Sequence, residues 1–214
     1  SANDANEAMK SFAKTVSDQS VLLNEIKNDL AADVGFSANI TFSQPETSIF
    51  TTQVSGSYSY TLPSWFVLGT DYLDGVLSGG GGGGDGTGDI FTQGDGQNGI
   101  SSRVTVNGTD YYAAAGEGSA YSLWSGQEMP SYMYQDIVYP GAAAGAQPGA
   151  GGSAGNATPA GDRVGGKCAG WNSFSVIPTS STINFSVGTG GAGGNAGVFG
   201  FAGKKGGDGI VYLR

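Results

Sequence analysis

The residues best suited to binding chemistry are the aromatic side chains between Tyr111 and Tyr139, which are interleaved with glutamine, glutamate and aspartate. Aromatic rings pack against the C–H faces of sugars, while neighbouring amides and carboxylates can take the hydrogen bonds of sugar hydroxyls. Tyrosine and tryptophan are also favoured anchors of protein interfaces. We expect core or oligomer packing for about half of these rings. The preferred candidates for a receptor-binding surface are Tyr121, Trp124, Tyr132 and Tyr134.

A second candidate chemistry is calcium binding by Asp85, Asp89 and Asp95, which lie in and after the first glycine run. Carboxylates and backbone carbonyls are the oxygen ligands that Ca²⁺ prefers. The segment from Gly83 to Ile90 differs from a calcium-binding β-roll repeat because Gly88 stands where a ligand aspartate is required. The alternative, and the usual role of such residues, is that of solvated turn aspartates. We expect no other cofactor.

Catalytic groups are scarce in this chain. There is no histidine and Cys168 is the single cysteine, which excludes Ser-His-Asp and Cys-His arrangements and His-ligated metal centres within one chain. A pair of carboxylates could still hydrolyse a glycoside, but no spacing singles out such a pair. We therefore expect a protein that is not an enzyme.

The charge balance excludes further classes of partner. The formal net charge is −9 and only 13% of residues are charged, so nucleic acid and anionic lipid surfaces are repelled on balance. No stretch approaches the ~20 consecutive apolar residues that span a bilayer, and we expect no membrane insertion. The first residue is Ser1 rather than Met, and we expect the chain to be part of a larger protein.

Glycine content divides the chain near residue 78. Only four of the 40 glycines precede residue 79. We predict three parts: a helical coiled-coil stalk over residues 1–35, a β-rich neck over 36–78, and a glycine-rich β tip domain over 79–214.

The predicted stalk depends on a heptad pattern. Seam positions alternate in steps of three and four over residues 9–30, which is typical of a coiled coil. A helix packed on its own β domain is the alternative. A polar residue at one d position can fix the register, and we favour three strands over two. The predicted seam consists of Met9, Phe12, Val16, Gln19, Leu23, Ile26 and Leu30.

The remainder of the chain has strand patterns. Alternation of apolar and polar residues predicts strands from Phe36 to Ser43 and across the segments 49–54 and 57–62. Asn107-Gly108 predicts a hairpin between residues 101–106 and 109–113, because this pair readily adopts a type I′ turn. Later strands are predicted at 174–177, 182–187 and 210–213. The predicted fold class is mainly β, with an α-helical coiled-coil stalk followed by an antiparallel, glycine-rich tip.

The glycine-dense tracts between these strands have two ordered alternatives, besides a disordered linker. They could form extended helices related to polyproline II, whose amides bond to neighbouring tracts, or they could be ordered but irregular loops. The absence of a strict Gly-X-Y period excludes collagen.

Several motifs resemble one known family in their order and spacing. These are Tyr58 to Trp65 with its Pro-Ser-Trp, Asp71 to Ser78 followed by the glycine run, Val104 to Ala113, Ile183 to Gly194, and the ending Gly206 to Arg214. Together they resemble the glycine-rich C-terminal domain of actinobacteriophage minor tail and tail fibre proteins over roughly residues 57–214.

This resemblance implies a location in the virion tail and adhesion to the host cell surface, and it carries over no catalytic residue. We expect a homotrimer that binds an envelope glycan or cell-wall component and contacts other tail proteins. The alternatives are a purely structural virion spike or connector and, less favoured, an envelope-degrading hydrolase.

Overall fold

This computed structural model describes residues 50–87, 94–121, 123, 125–155, 164–198 and 200–214. The predicted coiled-coil seam, the predicted strand from Phe36, and the candidate residues Asp89 and Trp124 lie outside these ranges. Within them the protein is mainly β, its sheets are antiparallel and no helix occurs, which confirms that part of the predicted fold class. Accordingly, this part of the chain contains no helix that is long and apolar enough to cross a membrane.

The described residues form ten strands. They are β1 (Phe50–Thr52), β2 (Gly56–Thr61), β3 (Leu73–Ser78), β4 (Ser102–Val106), β5 (Thr109–Ala113), β6 (Tyr132–Tyr134), β7 (Ile137–Tyr139), β8 (Trp171–Val176), β9 (Thr182–Val187) and β10 (Ile210–Leu213).

Two four-stranded sheets face each other across the hydrophobic core. Their strand orders are β1-β10-β3-β8 and β2-β9-β4-β5, and all pairs are antiparallel. Each sheet therefore combines strands that end at or before residue 78 with strands that follow it. In β9, Ile183, Phe185 and Val187 alternate with more exposed polar residues, as expected of a sheet with one buried face. Burial of these apolar residues is the main stabilising contribution to the sandwich.

The predicted hairpin is present as β4 and β5. Its turn residues Asn107 and Gly108 have φ angles of 51° and 77°, as a type I′ turn requires. The Asn107 side chain also accepts a hydrogen bond from the Thr179 amide at 2.8 Å and donates one to the Ile177 carbonyl at 2.9 Å. The turn is thus bonded to the connection between β8 and β9.

A second hairpin, β6 and β7, covers the outer face of the first sheet. The Tyr132 hydroxyl lies 3.0 Å from the Ser173 hydroxyl, and Tyr139 packs edge-on against Tyr212 with ring centroids 4.8 Å apart. Val76 of β3 and its β10 partner Tyr212 lie on this outer face. Val76 is nevertheless only 1% exposed, because the hairpin lies over it. The first sheet is therefore buried on both sides at this point.

The chain leaves β3 as a buried glycine tract, residues 79–87, that forms the centre of a bundle. Every amide of this tract donates to a carbonyl of another tract. The acceptors repeat every third residue: Gly80, Gly83 and Gly86 bond to residues 100, 97 and 94, whereas Gly81, Gly84 and Thr87 bond to residues 207, 204 and 201. A three-residue period is that of a polyproline II type helix, which has no internal hydrogen bonds. The observed bonds are those that packed tracts require.

Six other tracts surround residues 79–87 and bond to one another in a closed ring. In order around the centre they are 94–100, 188–197, 201–209, 149–155, 164–170 and 114–119. Tracts that accept bonds from the centre are antiparallel to it, and they alternate with parallel tracts that donate to its carbonyls. The buried backbone of the central tract is thereby hydrogen-bonded on every side, as buried polar groups require.

Close approach of backbones explains the glycine content of this bundle. A Cβ built on Gly81, Gly82 or Gly83 would overlap backbone atoms of a neighbouring tract, whereas none of these residues has a positive φ angle. Glycine is needed here for the missing side chain and not for an unusual backbone conformation.

A buried serine joins the sandwich to the bundle. The Ser102 hydroxyl donates to the Ser78 carbonyl at 2.6 Å and accepts from the Gly188 amide at 2.9 Å, and Ser102 is fully buried. Ser102→Ala leaves both buried backbone groups without this partner. We expect the free energy of unfolding to fall by about 2–4 kcal/mol, as measured by urea denaturation.

The matched control is Ser101→Ala, which removes an exposed hydroxyl from the adjacent residue. It should change the free energy of unfolding by less than ~0.5 kcal/mol. Equal effects of the two substitutions would contradict a bridging role for Ser102.

Candidate receptor-binding surfaces

The bundle has one end near the sandwich and one end far from it. Phe50 pairs with Leu213 and Leu213 with Gly75, so the described chain begins beside the first half of β3. The central tract continues from the other end of β3 and ends at Thr87. Its nine residues span about 28 Å at ~3.1 Å per residue. The far end of the bundle is therefore remote from Phe50.

Three large apolar side chains are exposed at or near this far end. Leu123, Val198 and Phe201 are 54%, 54% and 58% exposed. Phe201 is held firmly, because its carbonyl accepts from the Thr87 amide at 2.8 Å and its amide donates to the Thr87 hydroxyl at 3.1 Å. A ring whose backbone is fixed in this way can contact a ligand with little loss of conformational entropy. The sequence patterns did not single out any of these three residues.

Of the three predicted surface residues that the structure describes, Tyr121 lies nearest to them. Its amide and carbonyl both bond to Gly165, in the ring tract that meets the central tract at Asp85. The side chain is half-buried. The Leu123 carbonyl also accepts from the Gly165 amide, at 3.1 Å, so this segment is fastened to the far half of the bundle.

Tyr132 and Tyr134 lie elsewhere, in the β6–β7 hairpin. Both are half-buried, and Tyr132 stacks on Trp171 with ring centroids 5.8 Å apart. The Tyr134 hydroxyl donates to Asp74 at 3.4 Å. Burial raises the pKa of the Tyr134 phenol, and the Asp74 charge raises it further. The structure therefore separates these two rings from Tyr121, and their contacts are those of packing within the chain.

The outer face of the second sheet is a third surface, which is polar. Tyr112 is 51% exposed and its hydroxyl donates to the Asp110 carboxylate at 2.9 Å. Hydrogen bonds from Thr105 and then from Tyr112 hold the pKa of Asp110 below its usual value. The carboxylate is thus already occupied by neighbours on its own sheet.

The described calcium candidates do not form a ligand cluster. Asp85 is half-buried and its carboxylate accepts from the Gly96 amide at 3.4 Å, whereas Asp95 is exposed. Among the described residues no group of three or more His, Cys, Asp or Glu side chains is arranged to hold a metal ion. Asp89, the third candidate, is not among them.

The single cysteine lies in the ring tract 164–170 of the bundle. Cys168 is half-buried, and burial raises the pKa of its thiol. A thiol with a raised pKa is mostly protonated at neutral pH and is a poor nucleophile. Its neighbour Lys167 instead pairs with Glu117 at 2.6 Å across two adjacent ring tracts, and this bond lowers the pKa of Glu117.

The fold defines a class: an antiparallel β-sandwich whose strands continue into a bundle of packed glycine tracts. Comparisons of the chain with protein-family models, with curated proteins and with solved structures find no match.

Proposed function

We propose that this chain is the tip of a phage tail fibre or minor tail protein, and that it binds a glycan or cell-wall component of the host surface. The observation that carries the proposal is the far end of the glycine bundle, where Leu123, Val198 and Phe201 are exposed on a rigid scaffold. The order and spacing of motifs that resemble actinobacteriophage tail proteins support the same conclusion.

The arrangement suits a protein that is attached at one end and binds at the other. Phe50, where the described chain begins, lies on the side of the sandwich away from the bundle end, and the predicted stalk precedes it in the sequence. Binding residues are commonly found on loops that a rigid scaffold positions. Hydrogen-bonded tracts supply such a scaffold, and the contacts with other tail proteins belong to the opposite end.

The side chains at the far end of the bundle favour weak contacts with a ligand, which an oligomer would multiply. Tyr121 and Phe201 offer aromatic rings for sugar C–H faces, and the low charge content leaves hydroxyls, amides and backbone groups as polar partners. In the proposed homotrimer three copies of the surface act together, which raises the apparent affinity well above that of one copy. The proposed role is adhesion without catalysis, in the virion tail outside the cell.

Removing two exposed side chains tests this surface. We expect Phe201→Ala combined with Leu123→Ala to weaken binding of the fluorescently labelled chain to actinobacterial cells by about tenfold or more, since interface anchors commonly contribute over ~1 kcal/mol each. The measurement is a cell-binding isotherm over a panel of actinobacterial strains and their purified cell walls.

The matched control is Met133→Ala with Val138→Ala, because these side chains are 69% and 64% exposed on the β6–β7 hairpin. Its isotherm should match that of the unchanged chain. Equal losses in both double variants would contradict the assignment of binding to the bundle end. Absence of binding to every strain favours the structural spike or connector, and release of soluble wall fragments favours the hydrolase.

A further inference from the structure

A second apolar surface lies on the loop between β2 and β3. Of the twelve large apolar side chains exposed among the described residues, four fall within eight positions of this loop. Trp65, Val67, Leu68 and Tyr72 are 48%, 54%, 41% and 64% exposed. Extended exposed apolar areas are typical of interaction sites, whereas exposed apolar side chains that stand singly are ordinary. We call these four residues the loop patch.

The loop that carries the patch is firmly built. Leu62 and Phe66 are buried in the hydrophobic core, at 5% and 8% exposure. The Asp71 carboxylate accepts from the Val67 amide at 2.8 Å, and the Gly69 amide donates to the Pro178 carbonyl at 2.9 Å. The apolar side chains are therefore displayed by a fixed backbone, which lowers the entropy cost of binding.

The loop patch lies at the attached end of the sandwich. The loop follows Thr61, which pairs with Thr182, and it leads into Leu73 at the start of β3. Phe50 pairs with Leu213 and Leu213 with Gly75, so the described chain begins at this same end. In the sequence, the predicted seam ends at Leu30, which precedes Phe50 by 20 residues.

We infer that the loop patch is covered by a second copy of this chain, as a contact between the sandwich domains of the trimer. This inference rests on the proposed homotrimer. The predicted seam would join three copies at a point that precedes Phe50 in the sequence, and this tethering raises the effective concentration of one sandwich beside another. At that concentration even a small apolar contact forms, because burial of apolar area is favourable and orientation is already restricted.

The test uses the full chain and leaves Trp65 and Tyr72 unchanged, so that both can serve as probes of accessibility. We compare the unchanged chain with Val67→Ser combined with Leu68→Ser, and with the control Met133→Ser combined with Val138→Ser. Light scattering over a dilution series gives the concentration at which the oligomer dissociates. Hydroxyl-radical labelling read by mass spectrometry gives the accessibility of Trp65 and Tyr72, with exposed Tyr112 as the internal reference.

In the unchanged oligomer, Trp65 and Tyr72 should be labelled several-fold more slowly than expected from their exposure in one chain. The loop double variant should dissociate at about tenfold higher concentration, and its two probes should be labelled faster. The hairpin control should change neither quantity.

Three results would overturn the inference. The first is a trimer in which Tyr72 is labelled as fast as Tyr112. The second is a monomer with accessible probes. The third is a monomer with protected probes, which would assign the patch to residues 1–49 of the same chain. Cell binding is measured separately. If the chain is a monomer that binds cells through Phe201, the proposal of cell-surface binding stands and only the trimer contact fails. If the chain is a trimer with protected probes that binds no cell, only the proposal of cell-surface binding fails.

Discussion

Gly82→Ala is expected to lower the free energy of unfolding by more than ~4 kcal/mol, which is enough to prevent recovery of folded protein if the domain has ordinary stability. A Cβ at Gly82 would overlap the Glu117 carbonyl and the Gly118 amide of a neighbouring tract. These are backbone atoms that are themselves bonded within the ring, so no side chain can move aside. The added methyl must separate the tracts and break buried hydrogen bonds.

The control is Gly170→Ala, which adds the same methyl to another tract. Its Cβ would lie 3.7 Å from the Ala114 Cβ, an ordinary contact distance, and Gly170 has no positive φ angle. We expect its midpoint of thermal unfolding to stay within a few degrees of the unchanged chain. Equal tolerance of both alanines, measured by calorimetry, would contradict the packed bundle.

Phe174→Ala is expected to cost about 3–5 kcal/mol, the range for removal of a buried phenylalanine. Phe174 of β8 is 5% exposed and stacks on Tyr111 of β5 at 4.3 Å, so its ring joins the two sheets. The ring also fills the space beside Gly75, where a Cβ would overlap it. Urea denaturation, with fluorescence as the probe, measures the loss.

Phe201→Ala is the matched control for this loss, since it deletes the same atoms from a side chain that is 58% exposed. We expect it to change the free energy of unfolding by less than ~1 kcal/mol. The stability of this variant also matters for the cell-binding test. If the Phe201 variant is fully folded and binds cells more weakly, the loss of binding is a local effect of the missing ring. A large loss of stability in this variant would instead place Phe201 in the core.

Local signals in the sequence were sufficient for part of the fold. Asn107-Gly108 fixed the β4–β5 hairpin because the turn chemistry of two residues determines the register of both strands. The β6–β7 hairpin has Gln135 and Asp136 in its turn, with φ angles of 47° and 62°. Neither residue strongly signals such a turn, and the strands were therefore not predicted.

Aromatic content did not reveal which rings face the solvent. Tyr132 and Tyr134 have the composition of a sugar-binding surface, yet they lie over the outer face of the first sheet. The alternation of a strand indicates which side chains share a face, but it contains no information about what covers that face. Leu123 and Phe201 carry no pattern at all, because their position at the bundle end depends on contacts between distant tracts.

The sequence of the glycine tracts allows two ordered alternatives for a related reason. Their sequence has no side chains whose periodicity could indicate a face. The three-residue repeat becomes visible only in the structure, where every third residue of the central tract bonds to the same neighbouring tract. Gly80, Gly81 and Gly82 are identical in sequence but bond to three different tracts. The seam over residues 9–30 and its predicted trimer stay predictions.

The closed ring also bears on how such a protein can evolve. The bundle is held by backbone amides and carbonyls, so the bonding pattern does not depend on which residues occupy the outward positions of the ring or the connections between tracts. Substitutions there leave the scaffold unchanged, whereas substitutions of the inward glycines abolish it. Under the proposed adhesion role, a lineage can therefore exchange the binding surface by point mutation or recombination within the connections, while the framework that presents it is inherited intact.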